Sequence, residues 1–140
     1  MSLTQHAFLK RNEVPSRNEW QENIVKLGFN MSLDPELKPF EDSGFIPCKF
    51  NSLDSGFEIN YEEINNVIEN YPHLKNKVEN KDYCITFNWG GDLSECACVL
   101  IASLAIKEMC DAIIYYPDDD MLLTKEELKA QINQCFELIK

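Results

Sequence analysis

The spacing of apolar residues predicts four helices in this chain. In the first and the fourth, apolar residues recur every three or four positions, as on a helix face that packs against a core. Each predicted helix opens on a small polar residue with Glu three positions later, a pair that can satisfy the free N–H groups of a first turn. Gly28 and Pro72 are the predicted ends of the first two. The four openings are Ser16-Arg17-Asn18-Glu19, Asn60-Tyr61-Glu62-Glu63, Asp92-Leu93-Ser94-Glu95 and Thr124-Lys125-Glu126-Glu127.

The third predicted helix differs from the others because no charged residue interrupts its run from Cys96 to Ile106. A helix that is apolar all round is buried on both sides. We therefore expect the sheet to cover one side, and another helix or a second subunit to cover the other, so a homodimer is one predicted arrangement. The run is too short to span a bilayer, which needs about 20 apolar residues.

Short runs rich in β-branched and aromatic residues predict strands between the helices. An Asp-Ser-Gly-Phe turn signal at 42–45 recurs at 54–57, which predicts that the second and third strands pair as an antiparallel hairpin. The last two strands flank the third helix and predict a β-α-β unit with parallel strands. The predicted strands are Met31–Leu33, Phe45–Phe50, Phe57–Ile59, Tyr83–Trp89 and Ala112–Tyr116.

Together these elements predict one α+β domain over residues 1–140. Its sheet is expected to be mixed, with an antiparallel hairpin and a C-terminal β-α-β-α unit, and its helices to pack on the sheet. At 140 residues the chain has the length of one ordinary domain.

Charge limits the partners that the protein can take. The formal net charge is −11 at pH 7, and the acidic excess lies in residues 31–140. Such a surface repels phosphate backbones and anionic lipids, so we expect no nucleic-acid partner and no membrane partner. A basic protein partner suits this charge, although an acidic surface can also serve solubility alone.

The cysteines indicate a reducing compartment. They lie inside apolar runs, where free thiols behave as small hydrophobic side chains. The start of the chain lacks the basic region and apolar run of a secretory signal peptide. Both observations predict a cytoplasmic protein with free thiols. The six residues are Cys48, Cys84, Cys96, Cys98, Cys110 and Cys135.

The Gly90-Gly91 pair, between a predicted strand and a predicted helix, is typical of loops that bind phosphate. The glycine-rich phosphate-binding patterns are missing, however, and Asp92 and Glu95 would place carboxylates where the anion binds. A structural turn followed by a helix cap is the favoured interpretation.

Two further motifs contain side chains that can bind metal ions, thiols in one and carboxylates in the other. Their spacing does not match that of a metal site. Cys96 and Cys98 point about 200° apart around a helix axis, so core packing is favoured over a shared ion. Asp118, Asp119 and Asp120 follow a strand, where carboxylates can bind Mg²⁺ or Ca²⁺, but the EF-hand spacing is missing. A solvated turn is favoured there, with electrostatic docking of a partner as the functional alternative.

The sequence supplies few groups for nucleophilic catalysis. His6 lies in a segment expected to fray, and His73 lies in a polar loop. Cys48 and His73 could form a nucleophile and its base, but nothing in the sequence brings them together. We therefore predict no catalytic residue, no metal ligand and no cofactor, and the sequence favours a protein that is not an enzyme.

Four segments in this order resemble a group of small, acidic, uncharacterised bacterial cytoplasmic proteins, some of which look like the immunity partners of secreted toxins. The resemblance covers most of the chain, but its motifs are turns, caps and core aromatics and carry no catalytic residue. It implies a protein that binds another protein. The segments are Pro15-Ser16-Arg17-Asn18-Glu19-Trp20, Ser43-Gly44-Phe45-Ile46-Pro47, Ser55-Gly56-Phe57-Glu58 and Ile85-Thr86-Phe87-Asn88-Trp89-Gly90-Gly91-Asp92.

Two functions follow as hypotheses. The first is a cytoplasmic, immunity-like or antitoxin-like domain that binds a basic protein through Asp118, Asp119 and Asp120, with Trp89 as a secondary aromatic anchor. The alternative is a small ligand-binding domain or enzyme with a pocket at the strand ends near Trp89, Gly90 and Pro117, where ligands usually bind in α/β sheets.

Overall fold

The computed structural model describes residues 2–139, which form one seven-stranded sheet with helices packed on it. The order of the strands across the sheet is β2-β3-β4-β5-β1-β6-β7. The strands are β1 (Leu3–Leu9), β2 (Met31–Leu33), β3 (Gly44–Phe50), β4 (Leu53–Glu63), β5 (Tyr83–Trp89), β6 (Ile113–Tyr116) and β7 (Met121–Leu123). The helices are α1 (Arg17–Lys26), α2 (Asn65–Ile68), α3 (Leu93–Cys110) and α4 (Lys125–Ile139), with short 3-10 helices at Arg11–Glu13, Pro72–Leu74 and Pro117–Asp119.

The predicted α+β class is confirmed, but the pairing of the strands differs from the prediction. Strands β5 and β6 do flank α3 and run in the same direction, yet β1 lies between them and is antiparallel to both. Ala7 of β1 lies opposite Ile85 on one side and Ile114 on the other. Every pairing between described strands is antiparallel, so the expected mixed sheet is corrected to an antiparallel one.

Two hydrophobic clusters cover the two faces of the sheet. The larger lies between the sheet and α1, α3 and α4, and it buries α3 from Ala97 to Ile106. Because α1 and α4 of the same chain pack against α3, its apolar surface needs no second subunit to cover it. The smaller cluster lies on the opposite face, where Phe8, Cys84 and Tyr115 pack under α2 and the 3-10 helix that follows it.

The segment from 51 to 68 departs from the sequence prediction. The third predicted strand extends over the whole of β4, and the turn lies at Asn51 and Ser52, whose φ angles are positive. The second Asp-Ser-Gly-Phe copy is therefore part of a strand. Asn60 does not open a helix, since it pairs with Thr86 of β5 and the helix begins only at Asn65. Pairing along the full length of β5 outweighs the local capping signal.

The other helix openings are confirmed. Ser16 and Glu19 form the predicted capping box of α1. Thr124 and Glu127 exchange the same pair of bonds ahead of α4. At α3 the Asp92 carboxylate accepts hydrogen bonds from the N–H groups of Ser94 and Glu95, at 2.8 and 3.3 Å. The Ser94 hydroxyl also donates to this carboxylate at 2.6 Å, and that bond, followed by the N–H of Ser94, holds the pKa of Asp92 below its usual value.

Replacing Asp92 by Ala is expected to lower the free energy of unfolding by about 1 kcal/mol, because two N–H groups at the start of α3 lose their acceptor. Urea denaturation of both proteins measures the change. Asp92→Asn is the matched control, since Asn caps helices nearly as well. Equal stability of the Ala variant and the wild type would show that water replaces this cap without cost.

Candidate functional site

The three aspartates predicted to form one docking patch face different surroundings. Asp120 has a left-handed backbone, with φ of 51°, and its Oδ1 accepts hydrogen bonds from Tyr115 Oη at 2.6 Å and His73 Nε2 at 2.8 Å. These bonds lower the pKa of Asp120, the Tyr115 bond most. Asp119 instead lines a cavity on the helix face of the sheet. Asp118, Asp119 and Asp120 are all exposed.

Trp89 is the last residue of β5 and is 5% exposed, so it is a core residue and not a surface anchor. Its ring stacks on Tyr116 of β6, with centroids 6.4 Å apart and planes 29° apart. The indole Nε1 is buried and has no hydrogen-bond partner among the described residues. The indole N–H acts on the thiol of Cys96 and lowers its pKa, against the larger raising effect of burial. A buried donor in this state is rare in folded proteins.

A cavity of about 260 Å³ lies beside Trp89, between the ends of β1, β5 and β6 and the helices α3 and α4. Of the three residues named for the strand-end pocket of the alternative hypothesis, Trp89 lines this cavity, whereas Gly90 and Pro117 do not. The walls combine apolar side chains with amides, two thiols and one carboxylate. The lining residues are Leu3, Gln5, Trp89, Cys96, Leu100, Tyr116, Asp119, Gln131, Gln134, Cys135 and Leu138.

The polar side chains that line this cavity differ in their exposure to solvent. Gln5 is 1% exposed, and its Nε2 donates to Ser103 Oγ of α3 at 2.7 Å. Asp119, Gln134 and Leu138 are the exposed lining residues and lie at the open side. Among the described lining residues, Asp119 alone is charged at neutral pH. The cavity therefore has a polar amide at its depth and a single carboxylate among the side chains of its exposed rim.

The two thiols in the cavity are poor nucleophiles. Burial, with a smaller contribution from the neighbouring Cys135, raises the pKa of Cys96 to about 12. Burial also raises the pKa of Cys135. Because the thiolate is the reactive form, both thiols are protonated and unreactive at neutral pH. Both thiols are neutral side chains that line the cavity.

Cys48 and His73 lie on opposite faces of the sheet, as expected from a sequence in which nothing brings them together. Cys48 belongs to the core on the helix face, where its thiol contacts Cys98, and this contact raises the Cys48 pKa. His73 lies beside Tyr115 on the opposite face and binds Asp120. All six cysteines are free thiols.

A second polar cluster, which sequence reasoning missed, surrounds His6 at the centre of the sheet. The expectation that this segment frays was wrong, since His6 is 5% exposed in β1. Its Nδ1 lies 2.8 Å from Thr86 Oγ1, and its Nε2 lies 3.3 Å from Tyr71 Oη. Burial lowers the pKa of His6 to about 4. The apolar run Ala7-Phe8-Leu9 was the signal that this segment is a buried strand.

The Gly90-Gly91 segment is the structural turn that the sequence favoured. Gly91 has φ of 97°, and the N–H of Gly90 donates to Glu95 Oε1 at 3.1 Å. Asp92 and Glu95 thus occupy the N–H groups that an anion would need. Over residues 2–139, no group of three or more His, Cys, Asp or Glu residues is arranged to hold a metal ion.

Comparison of the chain with protein-family models, curated proteins and solved structures finds no match. Within the described part of the chain, none of the helices combines the length and the apolar character needed to cross a bilayer.

Proposed function

We propose that this protein is a binding domain without enzymatic activity, and that its binding site is the cavity beside Trp89. The observation that carries the proposal is the buried indole N–H of Trp89, which has no acceptor although its ring lines the cavity. A buried donor left unpaired costs about 1–3 kcal/mol. A ligand that brings an acceptor to this N–H recovers that cost.

The chemistry of the lining supports binding over catalysis. The thiols are protonated, and the cavity lining contains no histidine. Small-molecule sites are typically apolar with a few placed polar groups, as this cavity is. Its volume is at the low end for such sites, which favours a small ligand or a single inserted side chain.

The two tryptophans allow a direct test by NMR. Trp20 Nε1 donates to the carbonyl of Ala102 at 3.1 Å deep in the core, so its indole signal serves as an internal reference. We expect fragments from a small-molecule library to shift the Trp89 indole signal and to leave the Trp20 signal in place. The Trp89→Phe variant assigns the two signals.

A pair of cysteine variants provides the control. Cys96→Leu fills the cavity and should abolish the shifts, whereas Cys110→Leu, at the far end of α3 and outside the cavity, should preserve them. If no fragment moves the Trp89 signal, or if Cys96→Leu leaves the shifts intact, the proposal is wrong.

A second candidate function is binding of a basic protein, favoured by the net charge of −11. The resemblance described above supports an immunity-like role in the bacterial cytoplasm. Since Asp120 is engaged by His73 and Tyr115, we propose that Asp118 and Asp119 carry the electrostatic contact. Capture of a basic partner should then weaken steeply with salt.

The double variant Asp118→Asn/Asp119→Asn tests this second candidate. It should reduce capture and flatten its salt dependence, while Asp34→Asn/Glu36→Gln, which changes the net charge equally elsewhere, should not. Capture that is indifferent to both salt and the double variant would reject this surface.

A further inference from the structure

We infer that the cavity beside Trp89 selects a cationic ligand, whose ammonium or guanidinium group binds Asp119 at the mouth. This inference rests on the proposed binding function and specifies the chemistry of the ligand.

The charge of the lining carries the first step. Asp119 is the one lining residue charged at neutral pH within the described part of the chain, and the exposed Asp118 lies next to it. Neither Lys nor Arg is among the lining residues, so a bound carboxylate or phosphate would meet negative charge without a partner. A cation gains a charge-assisted hydrogen bond to Asp119, which is roughly twice as strong as a neutral one.

The arrangement of the other groups carries the second step. The amides of Gln131 and Gln134, on the α4 side, add carbonyl acceptors for further N–H groups of the cation. Leu100 and Leu138 form apolar walls suited to a short aliphatic stem. The side of the cavity formed by β5 and β1 holds the buried Trp89 and Gln5.

Size limits the ligand. A volume of about 260 Å³ equals roughly nine water molecules at about 30 Å³ each, which suits one basic side chain or a free amine of similar size. Free amines and the Lys or Arg side chains of a protein share this chemistry. If the ligand is a Lys or Arg side chain, it would belong to the basic partner protein considered above.

Four probes of graded charge test the inference on the full chain by NMR titration of the Trp89 indole signal. N-acetyl-arginine amide is cationic, N-acetyl-citrulline amide is its neutral near-isostere, and N-acetyl-glutamate amide is anionic. We expect the arginine probe to bind about tenfold or more tightly than citrulline and the glutamate probe not to bind. Agmatine is the free-amine probe. Tighter binding of agmatine than of the blocked arginine indicates a metabolite-like ligand, and the reverse order indicates a protein side chain.

Asp119→Asn should remove the preference for arginine over citrulline without weakening citrulline. Glu79→Gln, an equal charge change at an exposed position outside this cavity, should preserve the preference. Equal binding of the arginine and citrulline probes, or a preference that survives Asp119→Asn, overturns the cationic inference and leaves the binding site standing. If neither these probes nor any library fragment moves the Trp89 signal, the binding function itself fails.

Discussion

Replacing Trp20 by Ala is expected to lower the free energy of unfolding by about 3–5 kcal/mol, a large share of the stability of a small domain. Trp20 is fully buried between α1, α3 and the sheet. Its ring meets Phe87 edge-on at 6.2 Å, and its Nε1 donates to the Ala102 carbonyl at 3.1 Å. Ala leaves a cavity that the rigid α3 and sheet cannot collapse to fill. Urea denaturation followed by circular dichroism measures the loss.

Two companion variants separate packing from hydrogen bonding. Trp20→Phe keeps an aromatic ring but loses the hydrogen bond of the indole N–H. We expect this variant to lower the free energy of unfolding by about 1–2 kcal/mol. Val25→Ala, on the same helix but 62% exposed, should change stability by less than about 0.5 kcal/mol. If Trp20→Ala were as mild as Val25→Ala, α1 would not be part of the cooperative core.

Acid should destabilise this protein between pH 6.5 and about 4 through His6. Burial lowers the pKa of His6 from 6.5 to about 4. Between these two pH values His6 is protonated in the unfolded chain and neutral in the folded protein, which favours unfolding. The stability contribution of neutral His6 is complete above pH 6.5 and is lost as pH falls through about 4, where both states are protonated. The free energy of unfolding falls by about 3 kcal/mol at most through this group. Urea denaturation at several pH values measures it.

The His6→Gln variant should flatten the pH dependence in this window, because Gln does not titrate. Thr4→Val is the matched control: it lies on the same strand and loses a hydrogen bond to Asn88, so it should lower stability equally at every pH. The lowered carboxyl pKa values of Glu19, Asp92 and Asp120 place their own contributions at lower pH. If the free energy of unfolding of His6→Gln still falls with pH across this window, the dependence is caused by other groups.

Local signals predicted local structure well in this chain. The capping boxes at Ser16 and Thr124 and the cap at Asp92 form as the spacing indicated, because a cap depends only on residues three or four positions apart. Strand pairing depends on distant segments and was harder to predict. In β1 the polar Gln5 and His6 interrupt the apolar run, and each is satisfied only by a partner far along the chain, Ser103 or Thr86.

The candidate site shows the same limit. Trp89 and Asp119 were both predicted as functional residues, and the strand-end position of a pocket was expected as an alternative. The sequence could not show that α4 closes the cavity over them, since Gln131 and Cys135 are contributed by a helix whose docking follows from tertiary packing. Nor could it separate Asp120 from its neighbours, because His73 lies 47 residues away.

The central position of β1 sets the order of events during folding. Its hydrogen-bonding partners are β5 and β6, so the pairing of β1 is complete only when residues 83–89 and 113–116 are both in place. The hairpin of β3 and β4 can form on its own, but the two halves of the sheet join only through β1. Closing such long loops is slow relative to local pairing, which places refolding in the millisecond-to-second range. Until β1 inserts, the facing edges of β5 and β6 are open to pairing with other chains.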